Sequence, residues 1–146
     1  MSIIVADKSN LEDLVKLSLM LFPKESYEGL HKIYADIIDL GREVGLLYQK
    51  DDRFVGYMHL SIRNDYVNGT SSSPVAFVEA IFVLPEYRKC GIAREFIEYA
   101  EDFARKHNCK ELASDCLTDN IDSENFHKSC GFIEKERVIC LVKDVL

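Results

Sequence analysis

The chain has 146 residues, 47% of them hydrophobic, and carries 25 acidic against 18 basic side chains for a net charge of −7. A chain of this length suits one domain over residues 1–146, one that hides about 68–70% of its unfolded surface and so supports a real core. The acidic balance disfavours nucleic acid and favours cationic partners; no apolar run approaches the ~18 residues of a membrane helix, and "MSIIVADKSN" lacks the basic start and apolar block of a secretory signal.

A soluble, cytoplasmic protein with no nucleic-acid or membrane partner is therefore expected. The five cysteines (Cys90, Cys109, Cys116, Cys130, Cys140) are odd in number and never at C-x-x-C spacing, so disulfide and metal readings both fail. Apolar neighbours predict that each is a small buried or half-buried side chain. No metal site is expected.

A short strand is expected at Ile3 to Ala6. Ser9 and Glu12 have the S-x-x-E spacing of a capping box, and Leu11, Leu14, Val15, Ser18 and Phe22 recur at helical spacing, which predicts a helix to about Pro23. A second helix begins near Ser26, keeps Leu30, Ile33, Tyr34 and Ile37 on one side and meets Gly41 as a C-terminal cap. "VGLLYQ" and "RFVGYMHLSIR" flank Asp51-Asp52 as a β-hairpin. After the loop "NDYVNGTSSSP", the segment "PVAFVEAIFVL" is nearly all apolar, as a strand buried on both faces would be.

The next helix is marked by Ile92, Ala93, Phe96, Ile97, Ala100, Phe103 and Ala104 in one stripe, with Glu101–Arg105 and Asp102–Lys106 as i,i+4 pairs on the wet side. "KELASDCL" follows as a strand, "SENFHKSC" as a short helix ended by Gly131, and "IEKERVICLVKDV" as a closing strand or strand pair. Strand, turn, helix and strand within about 40 residues make a βαβ unit with parallel strands. The fold class is α/β, with a mixed, mostly antiparallel central sheet.

The turn "RKCGIA", Arg88 to Ala93, joins the buried strand to this helix. First-turn amides lack intrahelical acceptors and the helix dipole adds partial positive charge, so the turn suits an anion. Gly91 and Ala93 leave the backbone accessible, and Arg88 and Lys89 add charged donors. Neither a Walker loop nor a three-glycine dinucleotide fingerprint is present. R-x-x-G-x-A alone is equally compatible with an ordinary basic turn.

In this context Val83, Pro85, Arg88, Gly91 and Ala93 resemble motif A of the GNAT superfamily of acetyl-CoA-dependent N-acetyltransferases. "NIDSENFHKSCGF" is similar to the superfamily's N-x-x-A-x-x-x-Y-x-x-x-G-F signature at Asn120, Gly131 and Phe132, with Ser123 at the usual alanine. The resemblance implies the GNAT acyltransferase fold, with acetyl-CoA as co-substrate. Its diphosphate would lie on the amides of Arg88, Lys89, Cys90, Gly91, Ile92 and Ala93, and its pantetheine arm between splayed parallel strands. An amide near Ile81 or Phe82, just past a strand bulge and beside Val83, would polarise the thioester carbonyl. Asn120 would contact pantetheine or adjacent backbone. His127 stands where the signature usually carries a tyrosine that protonates the departing thiolate. Imidazolium is a competent acid, so that role is kept, passed to water or lost.

Glu79 interrupts an apolar strand, where a carboxylate is costly unless paired, hydrated in a cleft or used, and Asp115 lies toward the C-terminal end of the adjoining strand. The two carboxylates are expected to attract an ammonium group and take its proton, the alternative being a salt bridge for Glu79 and a strand-end cap for Asp115. Tyr66 either closes over a substrate or packs on the rim.

"SIRNDYVNGTSSSPVAFVEAIFVLPEYRKCGIA" with "ASDCLTDN" further resembles the aminoglycoside 6'-N-acetyltransferases, enzymes of antibiotic resistance. That resemblance implies polycationic aminosugar substrates such as kanamycin and tobramycin, and Glu136, in "GFIEKERV", is a further acidic candidate. It also implies a homodimer in which the C-terminal strand reaches toward the partner's site. Acetylation of another small amine (a polyamine or amino sugar) and a non-catalytic acyl-CoA sensor are the alternatives.

Overall fold

The computed structural model describes residues 2–146. Five strands run in the order β1 (Ile3–Val5), β2 (Val44–Lys50), β3 (Arg53–Arg63), β4 (Val75–Val83) and β5 (Leu112–Ala113). Neighbours from β1 to β4 are antiparallel, whereas β4 and β5 are parallel. Asp51 and Asp52 join β2 to β3 with φ of 53° and 59°, the two left-handed residues that a tight hairpin turn requires and that aspartate tolerates.

Helices α1 (Leu11–Leu21) and α2 (Tyr27–Leu40) cover one face of the sheet and α3 (Ile92–Lys106) the other. Adjacent residues of β3 show why. The Tyr57 ring meets Tyr34 of α2 edge-on at 6.2 Å, while a Cβ on Gly56 would lie 3.3 Å from the Phe96 ring of α3 and 2.9 Å from the Phe82 carbonyl. Only glycine lets α3 approach this closely. Leu14, Val15, Leu46, Leu47, Tyr57, Phe96 and Ile97 are buried in the core so formed.

Several expectations are corrected. The capping box belongs to Asp7 and Asn10, not Ser9 and Glu12: Asp7 accepts the Ser9 N–H at 2.8 Å, and Asn10 accepts the Asp7 N–H at 2.8 Å. The Ser9 hydroxyl itself donates to Asp7, so a 3-10 turn over Lys8–Asn10 precedes α1. On α3, Arg105 pairs with both Glu101 and Asp102, which replaces the Asp102–Lys106 pair. Of the cysteines only Cys109 is buried and Cys130 is half-buried; Cys90, Cys116 and Cys140 are exposed.

The largest correction concerns the end of the chain. The strand read in "KELASDCL" ends after Leu112–Ala113, and α4 (Ile121–Ser129) follows. Residues 132–146 form no helix or strand, and residues 133–146 are all exposed. Their β-branched composition favours a strand, but a strand forms only against an edge, and none among the described residues pairs with them.

Candidate active site

The turn between β4 and α3 is built as an open cradle. Lys89 and Gly91 both hold left-handed conformations, φ 61° and 86°, and the turn thereby forms a concavity of main-chain N–H groups. The first costs a non-glycine residue about 1–2 kcal/mol. No side chain caps the start of α3, and a Cβ on Gly91 would meet nothing within 4 Å. The first-turn amides thus face open space with the positive end of a 15-residue helix behind them. Lys89 and Cys90 are exposed, Ala93 is half-buried and Ile92 lies in the core. Arg88 is partly engaged: its Nε donates to the Val83 carbonyl at 2.8 Å and its guanidinium lies 5.4 Å from the Phe82 ring centroid. It staples the turn to the end of β4.

β4 and β5 pair only at Ala76↔Leu112 and Phe77↔Ala113 and then part. The register with β3 shifts at the same level, from Leu60↔Val78 to His59↔Ala80, which leaves Glu79 as the extra residue of a β-bulge. The bulge breaks the alternation that would put Glu79 and Ile81 on one face. Beyond it, Ile81, Phe82 and Val83 have no partner on the β5 side, so their backbone lines the splay. An oxygen-rich, extended ligand fits this arrangement: open amides at one end and unpaired strand edge along its length.

At the bulge, Glu79 is paired. Arg63 donates to it through Nε at 2.9 Å and Nη2 at 2.7 Å, and Ser61 donates its hydroxyl at 2.5 Å. The Arg63 guanidinium stacks on Phe77, 3.6 Å from the ring centroid. Burial alone would raise the Glu79 pKa, but the hydrogen bonds from Arg63 and Ser61 outweigh it and hold the carboxyl below its ordinary range. The salt bridge weighed for Glu79 is therefore the observed arrangement. Asp115 is exposed, just past β5, and near enough to help hold the Arg63 guanidinium protonated. The cluster leaves one carboxylate uncompensated.

His127 sits half-buried on α4, with Nε2 2.8 Å from Ser114 Oγ and Nδ1 2.7 Å from the Ser123 carbonyl. Asn120 caps α4 by accepting the Ser123 N–H at 3.1 Å. Tyr66 is 75% exposed at the tip of the loop after β3. The loop is anchored by buried Val67 and by Ser71 and Ser72, both of which donate to Glu111. Glu136 is exposed in the C-terminal segment and makes no ion pair with these groups. The structure thus gathers Glu79, Asp115, the β4 edge and His127 around the splay, and gives Glu136 no ion pair there. The sequence analysis assigns no role to Arg63, Ser61 or Ser114. The spacing Ser61–Arg63, which puts two donors on one strand face beside a half-buried glutamate, is the signal that finds the first two.

A family model described as acetyltransferase (GNAT) family matches residues 11–132. The aminoglycoside N(6')-acetyltransferase type 1 of Acinetobacter baumannii is 39% identical over 145 residues, 99% of each chain. Among solved structures, AAC(6')-Iy in complex with the bisubstrate analogue CoA-S-monomethyl-acetylneamine superposes with a TM-score of 0.93 at 34% identity, covering 98% of this chain and 97% of that one. The aminoglycoside 6'-N-acetyltransferase AAC(6')-Ih from Acinetobacter baumannii gives a TM-score of 0.90 at 38% identity, over 98% and 97%.

Proposed function

The chain belongs to the acetyltransferase (GNAT) family, and from that premise we propose that it transfers the acetyl group of acetyl-CoA to the 6'-amine of an aminoglycoside, a resistance reaction. The observation that carries this reading is the paired geometry of an open amide cradle at the start of α3 and a carboxylate cluster at the β4–β5 splay. One site suits an anionic diphosphate, the other a cationic amine.

Acetyl-CoA supplies an activated acyl group as a thioester. The amides of residues 89–93 and the side chain of Lys89 would hold its diphosphate, while Arg88 mainly fixes the turn. The β4 edge past the Glu79 bulge, near Ile81 and Phe82, would donate to the acyl oxygen as charge develops there. Asp115, the carboxylate without a counter-ion, would orient the ammonium and take its proton directly or through water. Glu79, neutralised by Arg63, sets the polarity of the cleft instead of acting as the free base. Tyr66 would form a wall for the aminosugar rings.

We further propose that residues 1–146 act as one catalytic domain in the cytoplasm and pair as a homodimer. The exposed apolar side chains of Val138, Ile139, Leu141 and Val142 support the dimer, because a strand-like segment of this kind needs a cover. In such a pair Glu136 would reach a partner's cleft.

The test is thiol release from acetyl-CoA with a panel of amines. Kanamycin and tobramycin should turn over at least tenfold faster than spermidine or peptide amines. Equal rates across the panel would remove the aminoglycoside assignment, and tight coenzyme binding without any turnover would favour a sensor.

A further inference from the structure

Both nitrogens of His127 are engaged inside the protein. The Ser123 carbonyl, 2.7 Å from Nδ1, can only accept, so Nδ1 carries a hydrogen. Nε2 meets the Ser114 hydroxyl at 2.8 Å. The rings of Phe126 and Phe132 stand edge-on to the imidazole at centroid distances of 5.7 and 5.1 Å. No ring nitrogen remains to face a substrate. Any proton that His127 gives up must therefore leave through Ser114. That serine is the first residue past the last β4–β5 pair, where the strands begin to part.

We propose that Ser114 is the catalytic residue that hands a proton to the departing thiolate, with His127 behind it as a positioning residue and proton source. This rests on the acetyl-transfer reading above. As the carbon–sulfur bond breaks, the sulfur takes the Ser114 Oγ hydrogen, and Oγ takes the Nε2 hydrogen of the imidazolium, leaving a neutral ring with its hydrogen on Nδ1. The nitrogen of the attacking ammonium loses two protons on becoming an amide. One recharges the imidazole and so balances the proton on the thiol, and the other goes to solvent.

The test is a double-mutant cycle on the full chain with Ser114→Ala, His127→Ala, the double variant and Ser114→Thr, each checked by thermal melting. Each alanine should lower kcat about 10- to 100-fold and leave the KM for acetyl-CoA within about twofold. The double variant should be no slower than either single one, since both act in one relay. Ser114→Thr, which keeps the hydroxyl, should recover most of kcat. An unchanged kcat in Ser114→Ala, or single losses that multiply in the double variant, would overturn the relay while the acetyl-transfer reading stands. A wild-type chain inactive on aminoglycosides would overturn both.

Discussion

An arginine beside the proposed acceptor site of an enzyme for polycations needs a physical reason, and Glu79 supplies it. A half-buried carboxylate on a bulge is expensive to leave unpaired, and Arg63 meets it in a two-pronged geometry backed by Ser61 and by the face of Phe77. Because the Glu79 pKa is depressed on folding, the stabilisation is fully present above the ordinary glutamate value of about 4.3 and is lost as pH falls through the lower folded value. Arg63→Met should therefore cost about 1 kcal/mol at pH 7, a figure discounted for the partial exposure of Arg63. The difference from wild type should shrink toward zero below pH ~4. Denaturant melts across pH check this, and a pH-independent difference would contradict it.

At the scale of elements, the legible parts of the sequence were those whose signal is local. The amphipathic stripe of α3, the Asp51-Asp52 hairpin and the Ser26 cap of α2, which accepts the Gly29 N–H at 3.0 Å, all depend on neighbours within a few residues. The cradle at Gly91 was legible for the same reason. The family resemblance implies a bulge before Ile81, but not that Glu79 is its extra residue, because a bulge is a mismatch between two strands and no single strand encodes its position. Nor was the partner of Glu79 identifiable among 18 basic side chains. The C-terminal segment reads as a strand in sequence yet forms none, because β-propensity states a preference for pairing and not a place to pair. If that segment finds its cover on a second copy, Ile139→Asp with Leu141→Asp should convert a dimer to a monomer in sedimentation. A wild-type monomer, or a dimer that survives both substitutions, would remove the dimer proposal.

Across the whole molecule, charge is sorted by ligand. Net charge −7 and the exposed Asp115 carboxylate at the splay suit a polycation, while Lys89 and the start of α3 form a local positive pole that suits an anion on an otherwise acidic molecule. On the proposed binding mode the two ligands would approach different ends of one opening, which would let both be present before reaction. The claim on which this depends is that the coenzyme sits on the amides at Gly91. Calorimetric titration of coenzyme A into wild type, Gly91→Ala and Asp115→Ala tests it most directly. The account predicts binding to wild type and Asp115→Ala alike and affinity about tenfold or more weaker for Gly91→Ala, because a Cβ at φ 86° strains the turn and intrudes on the cradle. Equal affinity in Gly91→Ala, or no binding to wild type, would contradict it.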